Sequence, residues 1–404
     1  MLSEKKILYI TKDKHPFDIR TEKITESFRE IGCQTAILCR VFEGEGSDYY
    51  KGIRIFHLGK FSSKLSLPVP YNPFWRSSIK NAVKVFKPDL IIVREIMLAI
   101  DVAQIAKKNN IPVVMDMAEN YPVVMRGWNK YKKNFLVRWL VHDLRLPDKI
   151  EKKSVLMMDA ILTVCEEQNK RLAGAYNYNE SKLHIVHNTP KKIWFHDVKR
   201  GMLIKPKVFA YHGLINSERN LEKLIYAFDM AWHVRNDIQL IIAGYGELEE
   251  HLKIIASKLD SSQNIVFRGK FEHGQIKNLY SEMDFGILPY RIDEHINQTI
   301  SNKYFDYMGA GKPMITSLAD PMIRLNHETH CGVAIDCENI DLIADTIIQF
   351  VSDSNYERLV EMSESALLAF KCHYSWDRDF ERLVRFLGRL LNVAEPDEFT
   401  YLSE

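Results

Sequence analysis

The sequence predicts an α/β protein built from two Rossmann-like, doubly wound domains. Three observations carry that expectation. The chain has 404 residues, which is long for one hydrophobic core. Short apolar, β-branched runs alternate with longer amphipathic stretches, and strand–helix–strand repetition means parallel strands joined by crossovers. The whole pattern also starts again after Asn188-Thr189-Pro190.

In the first half, KILYIT reads as the opening strand. A helix over about Thr21–Ile31 follows, with Gly32 where a left-handed C-terminal residue is expected. TAILC, DLIIV, IPVVM, AILTV and LHIVH read as further buried strands, with helical segments between most of them. Residues 191–206 are basic and irregular, as an interdomain linker would be. In the second half VFAYH, QLIIAG, NIVFRG, FGILPY, KPMITS and GVAID read as strands, and Leu221–His233 and Leu248–Leu259 as helices between them. Trp376–Leu391 closes the chain as an amphipathic helix, with Phe380, Leu383, Val384, Phe386, Leu387 and Leu390 on one side. The pattern gives domains over 1–190 and 207–373. Two such units facing each other would take a ligand in the crevice at the C-terminal ends of their strands.

Composition narrows the function. A chain that is 46% hydrophobic and 27% charged is an ordinary globular protein, and a net charge of +2 argues against a dedicated nucleic-acid binder. MLSEKKILYIT has no apolar run suited to a signal peptide, and no stretch approaches the roughly 18 apolar residues of a membrane span. The six cysteines are scattered without a CxxC pair and read as reduced thiols of a cytosolic enzyme. His327, His330, Cys331 and Cys337 fit no zinc spacing, so no metal site is expected.

The chemistry concentrates in Asn302–Pro313, NKYFDYMGAGKP. A helix starting near Ser301 and Asn302 would aim free N–H groups at an anion, and Lys303 adds a full positive charge. Asp306, one turn later, can accept hydrogen bonds from ribose hydroxyls. The alternative is a plain helix cap with a surface lysine. In YHGLINSERN a strand ends at Gly213, and a loop carries Arg219, which can grip a diphosphate bidentately. In AGYGE, Gly244 and Gly246 would let backbone approach a ligand closely.

Together these segments resemble the retaining glycosyltransferases of family 4, with the GT-B fold, over nearly the whole chain. LIIAGYGELEEHL, NIVFRG and YSEMDFGILPY follow that family's strands in order, as do DMAENYP, DAILTV and VHNTP in the first half. The resemblance implies a nucleotide sugar as co-substrate, with UDP favoured over GDP, and retention of anomeric configuration without a required metal. It places Arg219 and Lys303 on the diphosphate, Asp306 on the ribose, and backbone at Arg268, Gly269 and Phe271 on the base. Gly244 and Gly246 would form the cleft floor, and Gln298 stands where a sugar-binding glutamate is usual. Leu214 replaces an arginine and Ala118 a histidine, leaving Asp116 and Glu119 as the polar candidates beside the reacting carbon. YSW and the closing helix, about 374–404, look like the element that returns to the N-terminal domain.

Asp18 and Arg20 lie in a loop that would face an acceptor, although a charged helix start explains them equally well. Arg126 to Arg145 interleaves Trp128, Tyr131, Phe135 and Trp139 with Lys130, Lys132, Lys133 and Arg138. That pattern suits the surface of an anionic bilayer; the alternative is a helix whose aromatics pack in the core. The expected protein is a cytoplasmic transferase, at the inner face of the cell membrane, acting on a glycan or lipid-linked acceptor in cell-surface polysaccharide synthesis. The competing readings are a GT-B partner subunit impaired in catalysis and a nucleotide-sugar 2-epimerase.

Overall fold

The computed structural model describes residues 2–42, 48–59, 65–127, 135–198, 207–271, 274 and 276–393. Trp128, Lys130, Tyr131, Lys132 and Lys133, residues 199–206 of the expected linker and residues 394–404 of the closing segment lie outside them. The chain divides into two units, residues 1–186 with 380–404, and His187–Asp379.

The first unit contains β1 (Lys6–Ile10), β2 (Gln34–Cys39), β3 (Tyr49–Tyr50), β4 (Ile53–His57), β5 (Leu90–Arg94), β6 (Val113–Asp116), β7 (Ala160–Thr163) and β8 (Leu183–Ile185). They form one sheet in the order β3-β4-β2-β1-β5-β6-β7-β8, parallel except where β3 meets β4. Its central strands are buried almost throughout, as parallel strands covered on both faces must be. Helix Ile19–Glu30 is capped by Asp18, whose carboxylate accepts the Thr21 N–H at 2.9 Å, and the chain leaves it through Gly32 at φ +87°. Helix Pro73–Phe86 starts at Asn72, whose side chain accepts the Phe74 and Trp75 N–H groups, with proline in its first turn. It buries Trp75, Ile79, Ala82, Val83 and Phe86, one stripe at helical spacing, against the sheet.

The second unit contains β9 (Val208–Leu214), β10 (Gln239–Tyr245), β11 (Ile265–Gly269), β12 (Phe285–Leu288), β13 (Met314–Ser317) and β14 (Gly332–Ile335). All run parallel in the order β11-β10-β9-β12-β13-β14. Numbered from the first strand this is the 3-2-1-4-5-6 order of a dinucleotide-binding sheet, with its reversal between β9 and β12. The two-Rossmann architecture expected from the sequence is therefore the observed one. Helix Trp376–Leu390 begins in this unit, where the Trp376 N–H donates to the Pro190 carbonyl at 2.9 Å and buried Asp379 accepts the Thr189 hydroxyl at 2.6 Å. From Phe380 it belongs to the first unit. There Phe380 meets Phe28 edge-on at 5.2 Å, and Phe386 stacks on His184 at 4.5 Å.

The six cysteines are unpaired, and five are buried. Among the described residues no helix is long and apolar enough to cross a membrane.

Candidate functional site

In the second unit the expected site residues gather at the C-terminal ends of β9, β10, β11 and β12, which is where an open α/β sheet binds ligands. Gly213, near the end of β9, has φ +128°. A Cβ placed on it would lie 2.1 Å from Lys303 Cε and 2.6 Å from Nζ. The lysine therefore lies across a backbone that only glycine leaves open. Lys303 stands in the first turn of helix Asn302–Gly309, whose preceding residue, Ser301, makes no side-chain cap. The Ser301 hydroxyl instead pairs with Tyr290 at 2.9 Å.

Tyr290 has a second contact. The Arg219 guanidinium lies over its ring, 4.5 Å from the centroid. Arg219 sits in the 3₁₀ turn Ser217–Arg219; its Nε is buried without a hydrogen-bond partner, and Glu218 lies 4.0 Å away. One tyrosine thus joins the two cationic segments, holding a planar guanidinium face-on with its donors facing sideways.

Asp306, one turn beyond Lys303, keeps 20% of its side chain exposed and lies 3.9 Å from His212 Nε2. His212 in turn meets the Tyr280 hydroxyl at 3.2 Å. Burial pushes the Tyr280 phenol well above its ordinary range, and the Asp306 charge and hydrogen bond push it further. The tyrosine stays a neutral donor that orients the carboxylate. Phe271 approaches His212 edge-on at 6.0 Å, while the Arg268 side chain turns away to Glu282 at 2.8 Å. Gly269 carries φ +64°. Gln298 ends the turn Ile296–Gln298, half-buried.

The glycines of AGYGE have a reason other than ligand approach. A Cβ on Gly244 would fall 1.8 Å from the Gly213 carbonyl oxygen, and one on Gly246 2.1 Å from that of Ile215. Here backbone packs on backbone: the loop after β10 lies directly on the end of β9.

In the first unit the structure corrects two expectations. Asp116, at the end of β6, has no solvent exposure. It accepts Tyr9 Oη at 2.8 Å, Arg20 Nε and Nη2 at 2.9 and 2.7 Å, and Arg94 Nη1 at 3.1 Å. Burial alone would raise its pKa, but Arg20 and Arg94 hold it down at about 2. Arg20 is equally sealed, its remaining reach spent on the Val186 carbonyl at 2.9 Å. Neither presents an atom to an acceptor: each holds the sheet's C-terminal edge in place. Asp18 caps its helix and remains 40% exposed, and Glu119 is half-buried in the loop after β6.

Tyr290, Tyr280, His212, Tyr9 and Arg94 were not singled out in the sequence. Tyr290 and His212 had a readable signal, since each stands at the C-terminal end of a strand bordering the sheet reversal.

Family comparison splits the chain as the fold does. Residues 20–189 match the family described as Glycosyltransferase Family 4, and residues 193–367 match Glycosyl transferases group 1. An uncharacterized glycosyltransferase of Methanocaldococcus jannaschii is 22% identical over 230 residues, 54% of this chain and 56% of that protein. A GDP-mannose-dependent monoacylated alpha-(1-6)-phosphatidylinositol monomannoside mannosyltransferase of Corynebacterium glutamicum is 24% identical over 194 residues, 47% of this chain and 49% of that protein. The chain thus spans about half the length of the curated relatives it matches. Among solved structures, Anabaena HepE in complex with UDP superposes with a TM-score of 0.70 at 10% identity, covering 95% of this chain and 100% of that one.

Proposed function

We propose that this chain, whose two halves match glycosyltransferase family models and which has the GT-B fold, transfers a hexose or N-acetylhexosamine from a nucleotide sugar to a glycan or lipid-linked acceptor, with retention. The observation that carries the reading is the meeting of Gly213, Lys303, Arg219 and Asp306 at one end of one sheet. Two cations and an uncapped helix start would face the diphosphate and stabilise the charge that develops on it as the glycosidic bond breaks. That role needs no divalent metal. Asp306, aligned by Tyr280 and His212, would accept the ribose hydroxyls. Backbone at Arg268, Gly269 and Phe271 would hold the base, and Gln298 the sugar, with Ser301 and Asn302 at the helix start facing the diphosphate. Glu119 would stand beside the reacting carbon, and Asp18 on the acceptor side.

UDP is the favoured nucleotide, since a fold neighbour was solved with it; the GDP-mannose dependence of one relative makes guanosine the competitor. The membrane partner also remains part of the reading, because Phe135 and Trp139 are 84% and 43% exposed and do not pack in a core. The setting proposed is the cytoplasmic face of the cell membrane, in surface polysaccharide synthesis.

A thermal-shift panel of UDP, GDP, ADP and their common sugar conjugates, on wild type, Asp306→Asn and Lys303→Met, tests the donor site. The expected result is a shift with one nucleotide that both variants lose. No shift with any nucleotide would overturn the assignment.

A further inference from the structure

Glu95 follows β5 directly, at the edge where the first sheet reverses its order between β1 and β5. Three features set it apart. Its φ is +62°, a left-handed conformation that a side chain adopts at a cost. It is 5% exposed. Its carboxyl is also under-bonded: Oε1 receives a long 3.4 Å hydrogen bond from the Ala118 N–H, and buried Oε2 has no hydrogen-bond partner. Strain, burial and a missing partner each destabilise the folded chain. A glycine would suit that backbone better. A residue that is unfavourable on every local count persists where a ligand completes it.

We propose that Glu95 is an acceptor-binding residue of the N-terminal unit, its Oε2 meeting a neutral sugar hydroxyl. This rests on the transferase reading above and names the group that the acceptor finds there.

The charged neighbours define what that group can be. Arg94, the last residue of β5, lies 3.7 Å from Oε1 but is engaged by Asp116 at 3.1 Å, with Asp18 3.9 Å away. Lys12, from the loop after β1, is bound to Asp13 at 2.8 Å. Asp116 and Glu119, at the end of β6 and in the loop beyond it, add negative charge. Burial pushes the Glu95 carboxyl up to about 8, Arg94 and Lys12 draw it down, and Glu119 and Asp116 oppose them. At neutral pH it is therefore a carboxylic acid, with one hydroxyl to give and oxygens to receive. A cationic ligand would want the ionised form and an anion would be repelled by Asp116 and Glu119. A sugar hydroxyl, itself both donor and acceptor, satisfies the protonated form.

The test is saturation-transfer NMR with octyl glycosides of glucose, galactose, mannose and N-acetylglucosamine, on wild type, Glu95→Gln and Glu95→Ala, at about pH 6.5 and about pH 9.5. Wild type is expected to bind at least one glycoside at the lower pH and several-fold more weakly at the higher. Glu95→Gln, a neutral isostere, should bind at both pH values alike. Glu95→Ala should lose roughly tenfold or more at both. A merely structural role would leave wild-type binding flat with pH, and that result overturns the inference. So does binding unchanged in Glu95→Ala, or no glycoside bound by wild type. Nucleotide thermal shifts on the same three proteins separate the two readings. Nucleotide shifts retained while glycoside binding shows no Glu95 dependence sink this inference alone, whereas Glu95-dependent glycoside binding without any nucleotide shift sinks the donor assignment and leaves the hydroxyl site standing.

Discussion

Four donor groups from Tyr9, Arg20 and Arg94 converge on Asp116, and their contribution depends on its charge. Its folded pKa of about 2 lies below the ordinary 3.8, so the network's stability is fully present above about pH 4 and is lost as pH falls through about 2. Asp116→Asn should remove that acid limb, giving a urea midpoint flatter between about pH 4 and 2 than wild type. Arg20→Met leaves a buried carboxylate short of its main partner and should cost about 3–5 kcal/mol at neutral pH, read as a lower urea midpoint. Glu95 behaves in the opposite sense. Its folded pKa of about 8 lies above the ordinary 4.5, so the folded chain holds the extra proton and loses stability as pH rises from about 4.5 through about 8. At Gly213 the argument is steric. Gly213→Ala drives a methyl into the Lys303 ammonium at a φ unsuited to alanine. Nucleotide affinity should fall at least about tenfold, or 1.4 kcal/mol, by isothermal titration. Unchanged affinity would mean that Lys303 has no part in the site.

At the scale of elements, helix Trp376–Leu390 buries Phe380, Leu383, Val384 and Leu387, an i, i+3, i+4, i+7 stripe. Leu383→Ala should cost about 2–5 kcal/mol in urea unfolding. Gly174 offers the reverse case. It is exposed inside helix Glu166–Tyr176, and nothing lies within 4 Å of where its Cβ would stand. Gly174→Ala should therefore stabilise the chain by about 0.5–1 kcal/mol. The closing helix was legible because its apolar pattern has one strong period, and the central strands because they are short, near-continuous apolar runs. IRIFH of β4 went unmarked, since a half-buried strand near the sheet edge keeps arginine and histidine in its alternation. Helix Pro73–Phe86 carried a readable start in Asn72-Pro73, a capping residue followed by proline. Within the site, Asp306 and Lys303 could be read from one continuous motif. The Gly213–Lys303 approach and the Arg219–Tyr290 stack join residues far apart in sequence, and no local spacing encodes them. The same holds for Asp116. Its partners Arg20 and Arg94 come from separate elements, so a free catalytic acid and a buried ion pair look alike in the sequence.

For the whole molecule, a net charge of +2 gives almost no long-range pull toward an anionic surface, so the membrane attachment proposed above would have to come from one face. The first unit offers the candidate. Phe135, Leu136 and Trp139 are exposed on the turn pair Phe135–Arg138 and Trp139–Asp143, with Arg138 and Arg145 beside them in sequence. Nearby in chain order, the Lys153 ammonium donates to the Tyr71 hydroxyl at 2.7 Å, fastening helix Leu146–Met157 to a loop whose Leu65, Leu67 and Val69 are also exposed. Each buried apolar side chain is worth about 1.5–3 kcal/mol and each interfacial cation about 1 kcal/mol, so neither contribution alone holds a protein of this size. Both are needed. Sedimentation with vesicles of about 30% phosphatidylglycerol should therefore carry the protein down, while pure phosphatidylcholine should not. Raising salt from about 0.1 to about 0.5 M should release most of the protein, since screening removes the charge attraction that the apolar insertion alone cannot replace. Phe135→Glu with Trp139→Glu should release the protein while its nucleotide thermal shift stays unchanged, because neither residue belongs to the second unit. Sedimentation that ignores the double substitution would move the attachment off this face.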